Sequence, residues 1–148
     1  MLITQKCQYA VRAVFELAKR HGEGPTKIAD IADSQAIPVR FLEVILGQLK
    51  LAGFVASQRG AGGGYALQRE PSNLSVGEVM RFVQGSIAPV ECKPCKGKPK
   101  CPLDGDCVFR PMWQKAEKAM SQVYDSTSFQ DLVESEKQKD GRAVSYSI

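Results

Sequence analysis

Between Thr26 and Gln68 the sequence holds an order of patterns that few folds accommodate: two short amphipathic helices, then two strand-like runs around a cluster of glycines. Lys27 to Asp33 puts Ile28, Ala29, Ile31 and Ala32 on one apolar side, with Thr26 placed to cap it. A turn over Ser34 to Ile37 leads to Pro38, which suits the first position of a following helix because the N–H it lacks has no intrahelical partner there. In that helix Phe41, Leu42, Ile45, Leu46 and Leu49 form the expected buried stripe, so Val39, Arg40, Glu43, Val44, Gly47 and Lys50 face outward. Gly53 ends it, and the runs Phe54 to Arg59 and Tyr65 to Gln68 flank Gly60-Ala61-Gly62-Gly63-Gly64 as a hairpin. A helix-turn-helix followed directly by a hairpin is the winged-helix order, a mainly α fold with a small β-hairpin wing. The glycines do not form a nucleotide-binding loop, since no Gly-Lys-Ser/Thr follows and the segment opens onto a strand. They suit either a plain flexible tip or one slim enough to approach a phosphate backbone or minor groove.

The rest of the chain supplies a frame. Thr4 caps a first helix in which Cys7, Ala10, Val11, Val14, Leu17 and Ala18 recur at helical spacing, and His21 sits at its end, beside the terminal carbonyls. Ser75-Val76-Gly77-Glu78 is a capping box opening a helix that turns Val76, Val79, Met80 and Val83 inward and stops at Gly85. Pro111 opens a longer helix through Tyr124 with Met112, Trp113, Ala116, Ala119, Met120 and Val123 along one side, either folded onto its own domain or paired with a second copy. A short helix around Phe129, Leu132 and Val133 precedes a charged remainder, expected to be mobile. The units are a winged-helix domain over residues 1–84, a cysteine-rich loop over 85–110, a dimerisation helix with a short helix over 111–133, and a tail over 134–148.

Charge supports a nucleic-acid partner without requiring one. Arg40, Lys50, Arg59 and Arg69 stand against Glu43 in the helix and hairpin that would read DNA, leaving net +3 there out of +4 for the chain. No apolar run approaches the roughly 20 residues needed to cross a bilayer, and no secretory signal opens the sequence, so a cytoplasmic location is expected. A single histidine in this placement argues against a Ser-His-Asp or zinc-hydrolase site, and no enzyme is expected.

Four of the five cysteines, Cys92, Cys95, Cys101 and Cys107, lie in one stretch spaced C-x2-C-x5-C-x5-C, too rich in Pro, Gly and Lys for a regular helix or strand. In a reducing compartment such thiols are metal ligands or redox sensors more often than disulfides. Thiolates are soft, strongly donating ligands, so the stretch reads as a loop built to hold something. Four cysteines suit tetrahedral zinc, but only C-x2-C has the usual zinc spacing and the other intervals are wide. A metal-free thiol switch is a rival reading, with Lys93, Lys96, Lys98 and Lys100 placing positive charge beside the sulfurs. Cys7, within the first helix, reads as a small buried hydrophobe.

Several motifs now occur in a recognisable order: Tyr9-Ala10-Val11, Ile28-Ala29, Phe41-Leu42-Glu43, Arg59-Gly60-x-Gly62-Gly63-Gly64-Tyr65, Val76-Gly77-Glu78-Val79, Cys95-x5-Cys101-x5-Cys107, and Trp113 beyond. Over nearly its whole length the chain resembles the bacterial winged-helix transcriptional regulators that include IscR, NsrR and CymR. The resemblance implies a homodimer on a pseudo-palindromic operator in double-stranded DNA, with the third helix in the major groove and the wing at the minor groove. Pro38, Val39, Arg40, Glu43 and Val44 would then form the reading face, with Arg40 and Glu43 at base edges, and Arg59, Gly60, Gly62 and Gly63 would form the wing contact. It also implies an iron–sulfur cluster, [2Fe-2S] in type, held by three loop cysteines and one further ligand. The histidine that IscR-like proteins use corresponds to Arg110 here, and the acidic residue of the NsrR-like pattern corresponds to Gln8. Cys92, Cys95, Cys101 and Cys107 would supply four thiolates without either, or three of them would bind with Cys92 or Cys95 spare. A zinc-stabilised protein-interaction module is the reading from a different class.

Overall fold

The computed structural model describes residues 3–92, 101–103 and 106–145. Six α-helices, one short 3-10 turn over Pro71–Asn73 and one two-stranded hairpin occur among them: α1 Gln5–Lys19, α2 Ile28–Gln35, α3 Val39–Leu51, β1 Val55–Gln58, β2 Gly64–Leu67, α4 Val76–Gln84, α5 Arg110–Ser126 and α6 Phe129–Ser145. This is the expected winged helix, with α2 and α3 as the helix-turn-helix and β1–β2 as the wing.

Helix α1 is the spine. Thr4 caps it, accepting the Cys7 N–H at 3.2 Å, and its inner face buries Cys7, Ala10, Val14 and Leu17. Leu42, Ile45, Leu46 and Leu49 of α3 fill the same core, together with Ile31, Leu74, Val79 and Phe129. Each fully buried Leu or Ile side chain contributes about 1.5–3 kcal/mol relative to exposure, so these few residues fix how α3 lies on α1. Phe41 is not part of that stripe: it is 52% exposed and lies at the stripe's edge, against Tyr9. Ala29 is likewise exposed on α2.

Thr26 does not cap α2; Lys27 holds that position. Thr26 is buried instead, and its N–H and C=O exchange 2.8 Å bonds with Tyr65, adding a bridge to the wing's edge. Gly64 makes this approach possible, because a side chain there would run into the Thr26 carbonyl. Pro38 stands one place outside α3, at its N-cap. The hairpin pairs antiparallel from Val55 with Leu67 to Gln58 with Gly64.

The capping box forms as the sequence predicts: Ser75 Oγ accepts the Glu78 N–H at 3.3 Å and Glu78 Oε2 accepts the Ser75 N–H at 3.0 Å. Helix α5 is slightly longer than the stretch Pro111 to Tyr124. Helix α6 departs further, running to Ser145 where a short helix and a tail from Glu134 were expected. A second reciprocal cap starts it, with Asp131 N–H on Ser128 Oγ at 3.1 Å and Ser128 N–H on Asp131 Oδ2 at 2.9 Å. Phe129 and Val133 anchor it in the core, and Glu136 pairs with Lys19 of α1 at 3.0 Å. Among the described residues no helix is long and apolar enough to cross a membrane.

Candidate nucleic-acid interface and cysteine segment

The pose of α3 depends on a polar ladder along α1. Glu16 is only 2% exposed, yet its carboxylate accepts Arg20 Nε at 2.8 Å and Gln35 Nε2 at 2.8 Å. Burial pushes the Glu16 carboxyl up, but the hydrogen bonds from Gln35 and Arg20 and the charges of Lys19 and Arg20 outweigh it and leave the group below its ordinary value. One turn earlier on α1, Arg12 donates to the Gln35 carbonyl and, at 3.4 Å, to the Ala36 carbonyl. Ala36 is the one non-glycine with positive φ among the described residues, at 49°, and it makes the bend between α2 and α3. The ladder therefore ties the C-terminal end of α2, and with it the turn into α3, to the spine.

Held in this way, α3 presents Pro38, Val39, Arg40, Glu43 and Val44 to solvent, all exposed. On the wing Arg59, Gly60 and Gly62 are exposed, whereas Gly63 is buried. Gly60 takes φ +103° and accepts the Gly63 N–H at 3.0 Å, and a side chain at Gly63 would strike the Gln58 carbonyl. Gly63 thus shapes the tip from inside. The structure also brings together side chains that the sequence does not connect: Phe41 faces Tyr9 with ring centres 6.4 Å apart, Arg40 lies over Phe41 at 5.7 Å and Arg12 over Tyr9 at 5.5 Å. Periodicity counts Phe41 into the buried stripe, and so gives no sign that its ring stands half-exposed at the stripe's margin.

The cysteine segment joins α4 to α5. Cys92 and Cys107 are half-buried, Cys101 is exposed, and all three are free thiols; Cys95 lies outside the described residues. Cys92 lines a cavity of about 210 Å³ with Val90, Arg110, Trp113 and Glu117, between the chain after α4 and the first turns of α5. The Arg110 N–H donates to the Cys107 carbonyl at 3.3 Å. Two positions that family likeness suggested for a fourth ligand are accounted for: Arg110 lines this cavity, and Gln8 Nε2 donates to the Ile3 carbonyl at 3.1 Å. Among the described residues no three His, Cys, Asp or Glu side chains converge as a metal site. The donor set itself fits a thiophilic metal, since the segment offers several thiols and the described ones are unpaired. His21 Nε2 lies 3.3 Å from Glu70 Oε2, which corrects its expected place over the α1 carbonyls.

Helices α4 and α5 are stitched together at the end away from the cysteines. Val76 N–H donates to the Thr127 carbonyl at 2.9 Å, and Phe129 N–H to the Leu74 carbonyl at 3.0 Å. Arg81 clamps Asp125 through both guanidinium nitrogens, at 2.5 and 2.9 Å. Gly77 lies directly beneath that pair. No side chain of α5 is fully buried: Met112 and Val123 are 50% and 61% exposed, and Trp113, Ala116 and Met120 are partly covered.

Residues 3–135 match the Rrf2 family, described as an iron-dependent transcriptional regulator. The chain belongs to the Rrf2 family. It is 37% identical over 132 residues to the HTH-type transcriptional regulator CymR of Bacillus subtilis (strain 168), covering 89% of each chain. It is 36% identical over 133 residues to the HTH-type transcriptional regulator IscR of Aliivibrio salmonicida, covering 90% of this chain and 77% of that one. The solved structure of B. subtilis CymR, a global cysteine regulator, superposes with a TM-score of 0.78 over 90% of this chain and 97% of that one, at 36% identity. The oxidized form of Staphylococcus aureus CymR gives 0.71 at 28% identity, covering 90% and 97%. The Rrf2-family member described here is therefore a DNA-binding transcriptional regulator with a CymR- and IscR-like winged-helix fold, and its relatives are regulators, not enzymes.

Proposed function

We propose that this regulator acts in the cytoplasm as a homodimer on a pseudo-palindromic operator, and that an iron–sulfur cluster in its cysteine segment sets its grip on DNA. The observation that carries the reading is the position of that segment. It joins α4, which packs on the α1 spine of the DNA-reading head, to α5, whose apolar side is only partly covered in one protomer. On this reading Pro38, Val39, Arg40, Glu43 and Val44 face the major groove, and Arg59 with Gly60 and Gly62 reaches the minor groove. Gly63 contributes by closing the tip. A single head reads one short half-site, so pairing through α5 supplies useful selectivity.

Cys92, Cys95, Cys101 and Cys107 are the residues that would hold the cluster, as four thiolates, or as three with one spare. When bound, the cluster supplies a crosslink sensitive to oxygen, nitric oxide and iron supply. The chain's own part is mechanical. Because α4 and α5 are pinned together at their far ends, a change in the cysteine segment swings the near end of α5 about that joint. A difference of about 1.4 kcal/mol between two states changes operator affinity tenfold.

A second reading deserves separate testing because the chain resembles CymR as closely as IscR and because CymR has been solved in an oxidized form. On this second reading the loop cysteines of the present chain act as a cluster-free thiol switch. Anaerobic purification followed by iron, sulfide and absorption measurements, with duplex binding titrated on the same sample, separates the two. The cluster reading expects near-stoichiometric iron and sulfide and a visible chromophore that Cys→Ser replacements abolish. Metal-free protein whose duplex affinity changes with thiol oxidation supports the switch instead, and a signal response that survives loss of all four loop cysteines overturns both.

A further inference from the structure

Arg40 does not stand alone on the outward face of α3. Its guanidinium carbon lies 5.7 Å from the centre of the Phe41 ring, and that ring meets Tyr9 of α1 at 6.4 Å with 42° between the planes. Arg12 covers Tyr9 at 5.5 Å while donating to the carbonyls of Gln35 and Ala36. A continuous stack of cation, ring, ring and cation thus crosses from α3 to α1, and its far end is fastened to the turn of the helix-turn-helix.

Phe41 is 52% exposed, and the core of α3 is already filled by Leu42, Ile45, Leu46 and Leu49. A large apolar ring left half in water contributes little burial energy, so packing does not account for it. A ring beneath an arginine does have a use. An exposed guanidinium on a long flexible stem samples many rotamers, and ordering it on binding costs affinity; an aromatic face that holds it beforehand removes part of that cost. The attraction between the cation and the ring's negative face supplies the hold.

We infer that Phe41, backed by Tyr9, is a positioning residue for DNA recognition, whose ring holds the Arg40 guanidinium in place for the duplex. The inference rests on the proposed role of α3's outward face. Phe41 acts through Arg40, and Tyr9 keeps the ring from swinging away.

The test is a double-mutant cycle on the full chain, with duplexes selected by the parent protein from a randomised pool as the probe. Phe41→Leu removes the π face while keeping an apolar side chain, and it weakens binding about two- to fivefold, the size of an exposed cation–π contact. Phe41→Tyr retains the ring and binds as the parent does. In an Arg40→Ala background Phe41→Leu changes nothing further. Equal losses with and without Arg40 overturn the inference, because the ring then touches the duplex itself or merely supports the fold. A second readout covers the case in which Phe41→Leu fails to fold: in the free parent protein the Arg40 side-chain protons are displaced upfield by the ring current, and normal shifts for them overturn the inference outright. If the parent selects no duplex at all, the groove-reading assignment fails first, a result distinct from selection with an additive cycle.

Discussion

At the scale of single residues, the wing glycines divide into two kinds. Gly64 takes φ +152° against the Thr26 carbonyl and Gly63 backs onto the Gln58 carbonyl, whereas a side chain at Gly62 meets nothing. Gly64→Ala is therefore expected to cost about 2 kcal/mol or more and Gly62→Ala less than about 0.5 kcal/mol, a contrast that urea denaturation measures directly. Glu16 supplies a pH-dependent case. Its folded carboxyl is depressed below the ordinary 4.5, so its stabilising contribution is complete above that pH and drains away as pH falls through the folded value. Glu16→Gln should cost about 1–3 kcal/mol at pH 7, and the gap to the parent should narrow progressively below about pH 4.5; a gap that is unchanged at pH 3.5 would sink this account. Ser75 and Glu78 were legible because their cap is local, three residues apart. The ladder of Glu16 with Gln35 was not, since it spans two helices and neither residue belongs to an apolar pattern.

At the scale of elements, the order of helices and the hairpin could be read from periodicity and glycine placement, while the length of α6 could not. From Glu134 to Arg142 that helix turns mostly polar side chains to water, so the sequence resembles a solvated tail even though a reciprocal cap at Ser128 and Asp131 and the Lys19–Glu136 pair support its first half. Ending the chain after Glu136 should leave the melting temperature within a few degrees of the parent, because Phe129 and Val133 remain, while far-UV circular dichroism falls by the missing turns. The clamp of Arg81 on Asp125 is exposed on both sides, 41% and 46%. Asp125→Ala should accordingly cost no more than about 1 kcal/mol of stability, with the backbone bonds of Val76 and Phe129 still closing the joint. A much larger loss in chemical denaturation would show that the ion pair, not the backbone stitching, holds α4 to α5.

At the scale of the whole molecule, α5 is the element least satisfied by its own chain. Its apolar side was legible at helical spacing, but sequence could not say whether that side folds inward, and the structure leaves it only partly covered within the protomer. If it pairs with a second copy, Val123→Glu should shift sedimentation toward the monomer and weaken duplex binding together, because two heads no longer act as one; a variant that stays dimeric would remove α5 from the interface. The closed joint at the far ends of α4 and α5 has another consequence. That joint closes through Val76 with Thr127 and Phe129 with Leu74, all outside the cysteine segment, so exchanges of chemistry among the cysteines are expected to leave the joint standing. If the cysteine segment is the sensor, as proposed, one ancestral scaffold can be retuned to different stimuli by rewriting a single short stretch, with selection on the stimulus decoupled from selection on the target sequence.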